Sequence, residues 1–364
     1  MPTAARVVVV PQDQGPLTVE DVTLPDPGPR QVVVKQFASG VCHSQLHQMH
    51  NPRKAPVILG HESTGVVLAS GSDVTHVKEG DTVMVTWVPR NAREATTAPW
   101  AATVALPDGG TAYSQNVFTW ADHTIADEQY VVKVADDINL EATAIIGCAV
   151  MTGAGAVENT AGVRKGESVA IFGVGGVGLS AVVAAATLEA DPIIAIDLDD
   201  EKLEFARQFG ATHTINAGAE DPIKAIKELT RNPDKRNMGG MPTSGADYAF
   251  DCIGLKQTME QIVPAVRSGF FGAEPGGTAV LVGVPQTSVE LNASDILVNE
   301  KRFIGSIGGS CSPDRDFPKY LKWYDEGRLD LDQMVTARYQ IDDINQATED
   351  LENGKIAGRA ILVF

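Results

Sequence analysis

The chain has 364 residues, 43% hydrophobic and 21% charged, a balance that excludes global disorder and predicts two or three domains at about 150 residues each. Against 29 Lys and Arg stand 47 Asp and Glu, a net charge of −18, and so acidic a surface repels phosphate backbones and anionic lipids. Nucleic acid and membranes are therefore not expected partners, and the 35 glycines, which follow no G-X-Y period, exclude collagen and point to special turns.

The N-terminus begins with a short apolar run, residues 7–10, cut by Pro11, too short for a signal peptide. The β-rich runs 31–37, 65–70 and 81–88 follow, separated by Pro/Gly clusters such as 25–29, and together they predict an antiparallel barrel-like or sandwich-like domain. Residues 140–161 are Ala/Gly-rich and read as helical. From residue 168 short apolar runs (168–172, 192–197, 248–251, 278–282) alternate with helical segments (177–190, 200–209, 221–229, 257–266), the order of a doubly wound parallel sheet. Residues 169–188 carry no charge, but their four glycines sit at turn-making spacing, so a membrane span is not the reading. Residues 231–244 and 268–277 read as exposed loops, with a partner surface as the alternative. Helices near 317–326 and 341–352 and a strand at 360–364 close the chain.

Four cysteines, Cys42, Cys148, Cys252 and Cys311, are too few and scattered for a disulfide framework. A reducing, cytoplasmic setting follows, with thiols free for metal or catalysis. Cys252 reads as a strand core residue and Cys311 as a loop thiol.

Gly173, Gly175 and Gly178 fit G-x-G-x-x-G between an apolar strand and an Ala-rich helix. Gly173 permits the tight turn, Gly175 lets backbone N–H groups approach a pyrophosphate, and Gly178 lets the helix pack on the strand with its N-terminal dipole facing the anion. Asp197 ends the next predicted strand, where a carboxylate accepts from an adenosine ribose and repels a 2′-phosphate, favouring NAD over NADP. A tight turn without nucleotide is the bland alternative.

Cys42, His61 and Cys148 make a Cys2His set that suits Zn2+ and leaves a fourth position open. Singly, Cys148 also reads as a core cysteine and His61 as a structural histidine. His43, His47 and His50 would share one face of a helix and form a rival metal site, which no carboxylate or thiol beyond Cys42 completes.

Gly-Val-Cys-His-Ser (40–44), Gly-His-Glu (60–62), Ile-Gly-Cys (146–148), Gly-Val-Gly-Gly-Val-Gly (173–178) and Gly-Arg-Ala-Ile-Leu-Val-Phe (358–364) occur in the order found in zinc-dependent alcohol dehydrogenases of the medium-chain dehydrogenase/reductase family, which the chain resembles over nearly its whole length. The resemblance implies an α/β fold, a β-rich GroES-like catalytic domain (1–150 and 309–364) plus a Rossmann NAD-binding domain (151–308). It implies that Cys42, His61 and Cys148 hold one catalytic zinc, with Glu62 as an alternate ligand. Ser44 falls at the alcohol-bonding hydroxyl and His47 at the end of a proton relay. His43 and Arg359 match pyrophosphate contacts, Lys202 a ribose contact, Thr152, Val177 and Val282 nicotinamide neighbours, and Trp87 a substrate-pocket aromatic. Gly176 belongs to the dinucleotide loop.

Two departures stand out. Residues 91–114 contain no cysteine, so the family's structural zinc is expected to be absent and that lobe, with Trp100 and residues 107–110, reshaped to border the substrate entrance or fill space. Gln45 stands where the family has an acid that orients the zinc-binding histidine. An amide can still accept from His61 but supplies no charge.

The expected activity is NAD(H)-dependent interconversion of an alcohol with its aldehyde or ketone, the small Ser44 leaving room for a bulky or secondary alcohol. A nicotinoprotein that keeps its NAD, and a non-catalytic NAD-binding structural or regulatory protein, are the competing readings. The resemblance implies a homodimer, with a homotetramer as the alternative.

Overall fold

The computed structural model describes residues 2–13, 15–92, 98–236, 240–270 and 273–364. It divides into two compact units, Met1–Ala149 with Ser312–Phe364, and Val150–Cys311.

The first unit is built from two mainly antiparallel sheets, each with one parallel pair. Strand Gln31–Val41 is its backbone, pairing antiparallel with Glu62–Ser70, His123–Asp127 and the C-terminal Arg359–Val363. Its alternation sends Val32 and Val34 into one apolar cluster and Val33 into another, so the two faces of a single strand serve two cores. Thr3–Val10, Thr18–Leu24, Val57–Ile58, Thr103–Ala105 and Thr111–Tyr113 form a second sheet. Residues 93–97 of the predicted lobe lie outside the described residues.

The second unit carries a six-stranded parallel sheet in the order His213–Asn216, Ile193–Asp197, Val169–Phe172, Tyr248–Asp251, Thr278–Leu281, Arg302–Gly305. All four residues of Val169–Phe172 are buried, as a central strand covered on both faces requires. Ala170, Phe172, Ile194, Ile196, Ala249 and Ala279 pack one face of the sheet against Ile226, Ile262 and Val263.

Two expectations change. Residues 231–244 hold a two-stranded antiparallel ribbon, Asn232–Arg236 against Pro242–Thr243, because backbone pairing needs no apolar run; residues 237–239 between them lie outside the described residues. Residues 271 and 272 of the second predicted loop also lie outside them. Residues 140–161 are not one helix: a 3-10 turn (Ala142–Gly147) stops at Cys148, and Ala149–Gly155 then runs into a π-helical turn, Ala156–Ala161. The uncharged stretch 169–188 splits into Val169–Phe172, a turn and helix Gly176–Thr187, and no helix among the described residues is long and apolar enough to cross a membrane.

Candidate functional site

Three chain segments converge in the first unit. Cys42 follows strand Gln31–Val41 and caps helix His43–His50. His61 precedes strand Glu62–Ser70, and Cys148 sits at the break between the 3-10 turn and the next helix. Cys42 Sγ, Cys148 Sγ and a His61 ring nitrogen all lie within 4.8 Å of one another. This is the only such group of three or more ligand-type side chains among the described residues, so His43, His47 and His50 do not form the rival site.

Glycine lets these segments approach. Gly60 has φ +96°, and a Cβ there would stand 2.3 Å from Trp120 N. A Cβ on Gly40 would stand 2.1 Å from Glu62 Oε1. Thr86 donates to the Gly147 carbonyl at 2.7 Å, holding the backbone immediately before Cys148.

The donor set fits a soft divalent ion. All three side chains are buried or nearly so, and His61 Nε2 is buried without a hydrogen-bond partner. A hydrogen bond from Cys148, the largest influence, holds the Cys42 thiol well below its ordinary pKa, while the same contact pushes Cys148 well above. Two sulfurs in direct contact beside an unpartnered imidazole nitrogen make a donor set that one cation would satisfy together.

Glu62 is fully buried; burial raises its pKa, opposed chiefly by the adjacent Arg359 guanidinium. Arg359 donates to Glu62 Oε1 from the strand Arg359–Val363 and is itself 5% exposed. Burial works against its charge, but the surrounding Cys42 and Glu62 anions outweigh that and hold it firmly protonated. In the structure this guanidinium, expected at a pyrophosphate, pairs with Glu62, a buried carboxylate that needs a counter-charge.

Gln45 is also placed differently. Its Oε1 accepts from Cys42 N–H at 3.0 Å in a reciprocal cap of the first helix, and Nε2 is buried without a partner. The oxygen expected for His61 is thus committed to Cys42. Ser44 Oγ donates to Cys42 Sγ at 3.3 Å, which puts its hydroxyl beside the cluster. The Trp87 ring centroid lies 6.3 Å from that of His61, with Nε1 buried and unpartnered. His47 is half-buried on the first helix and His43 exposed at its start.

In the second unit the glycine loop opens from the C-terminal end of Val169–Phe172. Gly173 has φ +83°, Gly175 would hold a Cβ in open space, and a Cβ on Gly178 would lie 1.8 Å from Gly173 O. Gly176 and Val177 begin helix Gly176–Thr187. Asp197 Oδ2 accepts from Val174 N–H at 2.9 Å, tying the acid to the loop. Lys202 lies in the first turn of Asp200–Gln208, Val282 directly follows Thr278–Leu281, and Thr152 Oγ1 is buried without a partner. Sequence reasoning missed Asp251. This buried acid ends its strand and accepts from Ile253 N at 3.2 Å and Gly254 N at 3.0 Å, and Ile253 packs beside Gly173. The signal was its place at the end of an apolar strand adjoining the glycine-loop strand.

Residues 28–136 match the family described as alcohol dehydrogenase GroES-like domain, and residues 176–326 that described as zinc-binding dehydrogenase. The chain is 33% identical to the NDMA-dependent alcohol dehydrogenase of Amycolatopsis methanolica, covering 93% of this chain and 94% of that one. It is 30% identical to the S-(hydroxymethyl)glutathione dehydrogenase of Paracoccus denitrificans, covering 98% and 99%. The crystal structure of benzyl alcohol dehydrogenase from Acinetobacter calcoaceticus superposes with a TM-score of 0.84 at 29% identity, covering 100% of this chain and 99% of that one.

Proposed function

Because the chain belongs to the zinc-type alcohol dehydrogenases of the medium-chain dehydrogenase/reductase family, we propose that it interconverts an alcohol with its aldehyde or ketone using one zinc per chain and NAD(H). The observation that carries this reading is the buried convergence of Cys42, His61 and Cys148 with the Ser44 hydroxyl beside it. Zn2+ held by those three side chains supplies Lewis-acid polarisation of the substrate oxygen, and a dinucleotide on the glycine loop supplies hydride acceptance and return.

The chain's own residues do the rest. Ser44 Oγ bonds the substrate hydroxyl and accepts its proton, and His47 passes that proton towards solvent. Trp87 walls the substrate side of the cluster and keeps water away from it. Glu62, neutralised by Arg359, holds the ligand-bearing backbone by accepting from Ala149 N at 3.4 Å. On the glycine loop, backbone N–H groups take the pyrophosphate, Asp197 the adenosine ribose with Lys202, and Thr152, Val177 and Val282 line the nicotinamide position. The carboxylate of Asp197 favours NAD, since a 2′-phosphate beside it would be repelled.

With no cysteine between residues 91 and 114, a second, structural zinc has no thiolate set there. A reducing compartment such as the cytoplasm suits a site whose paired thiols would be lost to oxidation, and a homodimer is the expected assembly. Elemental mass spectrometry of purified protein, with absorbance at 340 nm in mixed alcohols and NAD, tests the reading. About one zinc per chain and NADH formation support it; protein without zinc that still turns over would overturn it.

The dependence on NDMA carried in the name of the Amycolatopsis relative favours a second reading, in which the dinucleotide stays bound and is recycled by a second substrate. Dinucleotide remaining with the protein after gel filtration and no response to added NAD would select it.

A further inference from the structure

A polar cavity of about 230 Å3 lies in the second unit, away from the glycine loop. Its lining residues Ser244, Ser268 and Lys301 precede the strands Tyr248–Asp251, Thr278–Leu281 and Arg302–Gly305, so they approach the sheet from its N-terminal edge. The glycine loop, Asp197 and Asp251 sit at the C-terminal ends of their strands, and all six strands are parallel. The cavity and the dinucleotide loop therefore occupy opposite edges of one sheet, and ligands of such folds ordinarily use only the C-terminal edge.

The side chain of Lys301 is 4% exposed. Its ammonium donates to the Val263 carbonyl at 3.0 Å and to Asp295 Oδ2 at 3.0 Å, two of its three N–H donors. Lys227, also on the lining, makes no ion pair among the described residues, and the hydroxyls of Thr243, Ser244 and Ser268 make no hydrogen bond among them. Two ammonium groups against the single carboxylate of Asp295 leave a net positive charge ringed by three hydroxyl donors. In a chain of net charge −18 that excess is local rather than a reflection of overall composition.

We propose that this cavity binds a phosphate group, either free or carried by a small metabolite of a few carbons. A tetrahedral oxyanion offers only acceptors and needs donors from several sides, which two lysines and three hydroxyls provide. The volume falls below the roughly 300–1,000 Å3 of sites that enclose drug-sized ligands, so a nucleotide is too large for it.

Isothermal titration of the full chain with inorganic phosphate and with glycerol 3-phosphate, at constant ionic strength, tests the assignment. The glycine loop is the competing phosphate site, so the titrations are repeated on Lys227→Ala, Ser268→Ala and Gly178→Ala, each checked for folding by circular dichroism. Saturable binding weakened about tenfold or more by Lys227→Ala and Ser268→Ala, and unchanged by Gly178→Ala, is the expected result. Tighter binding of glycerol 3-phosphate identifies a phosphorylated metabolite as the ligand; equal binding identifies free phosphate. No saturation up to tens of millimolar, or binding lost in Gly178→Ala and kept in the other two, would overturn it.

Discussion

Replacing Arg359 with Met tests the argument that this side chain is the counter-ion of Glu62. The guanidinium is 5% exposed and the carboxylate 0%, so removing the cation strands a buried charge that no solvent reaches. Breaking such a pair from one side costs about 3–5 kcal/mol. In a unit of about 200 residues each kcal/mol shifts the melting temperature by about 2–4 °C, so Arg359→Met should melt about 6–20 °C below the parent. The one Ala149 N–H bond to Glu62, long at 3.4 Å, is too weak to replace the lost counter-charge. Differential scanning fluorimetry measures the loss, with zinc content checked in each sample because metal release would itself lower the melt. Removing both partners, as Glu62→Met with Arg359→Met, should recover most of the loss, since two apolar side chains replace a pair that repaid little beyond its own desolvation. A single variant melting within 2 °C of the parent, or a double variant as unstable as the two singles added together, would refute the assignment.

Three further outcomes follow from the same geometry. Ser44→Ala should lower kcat by about 10²-fold or more with KM little changed, through loss of the proton acceptor; parental turnover would remove Ser44 from the reaction. Gly178→Ala places a methyl 1.8 Å from Gly173 O, so the loop or helix must shift, and kcat/KM for the dinucleotide should fall about 10²-fold, read from initial rates at 340 nm. Asp247 is pushed up by burial, but bonds from Ser168 and Arg267 outweigh this and hold its carboxyl below the usual range. Its contribution is therefore present above the ordinary aspartate pKa of about 3.9 and lost as pH falls through the lowered folded value. Asp247→Asn should lose about 1.5–3 kcal/mol at neutral pH and show a flatter acid limb in denaturant titrations; an unchanged acid limb would show that Asp247 does not set it.

The parallel sheet was legible because its central strands are unbroken apolar runs. Tyr248–Asp251 appears where the pattern puts it, and Val169–Phe172 and Ile193–Asp197 differ from it only at their first residues. The edge strands His213–Asn216 and Arg302–Gly305 were not, because strands covered on one side carry polar and half-buried residues that periodicity does not separate from loop. Helix His43–His50 escaped as an element for a similar reason: it is polar along most of its length and buries only Gln45 and Leu46, so its start is set by a cap that the spacing from Cys42 to Gln45 encodes without apolar help.

The proposed metal ligands were legible in a different way. Each stands in a short segment with glycine beside it, and those glycines are where segments distant in sequence come close enough for a Cβ to collide with Glu62 or Trp120. What local pattern does not contain is which partner a buried charge selects. Arg359 and Glu62 are 297 positions apart and meet only because the C-terminal strand pairs with Gln31–Val41, itself paired with Glu62–Ser70. Gln45 shows the same limit over a shorter distance, since the choice between Cys42 N–H and His61 is made by helix geometry and not by residue type. Lys301 extends the point to the opposite edge of the parallel sheet. It is an ordinary surface residue by type, and it is its position after helix Ala293–Val298, with the Val263 carbonyl and Asp295 in reach, that turns it into a buried charge. Motifs thus locate groups that converge into one donor set, whereas the counter-charges that burial requires are assigned by strand order and packing.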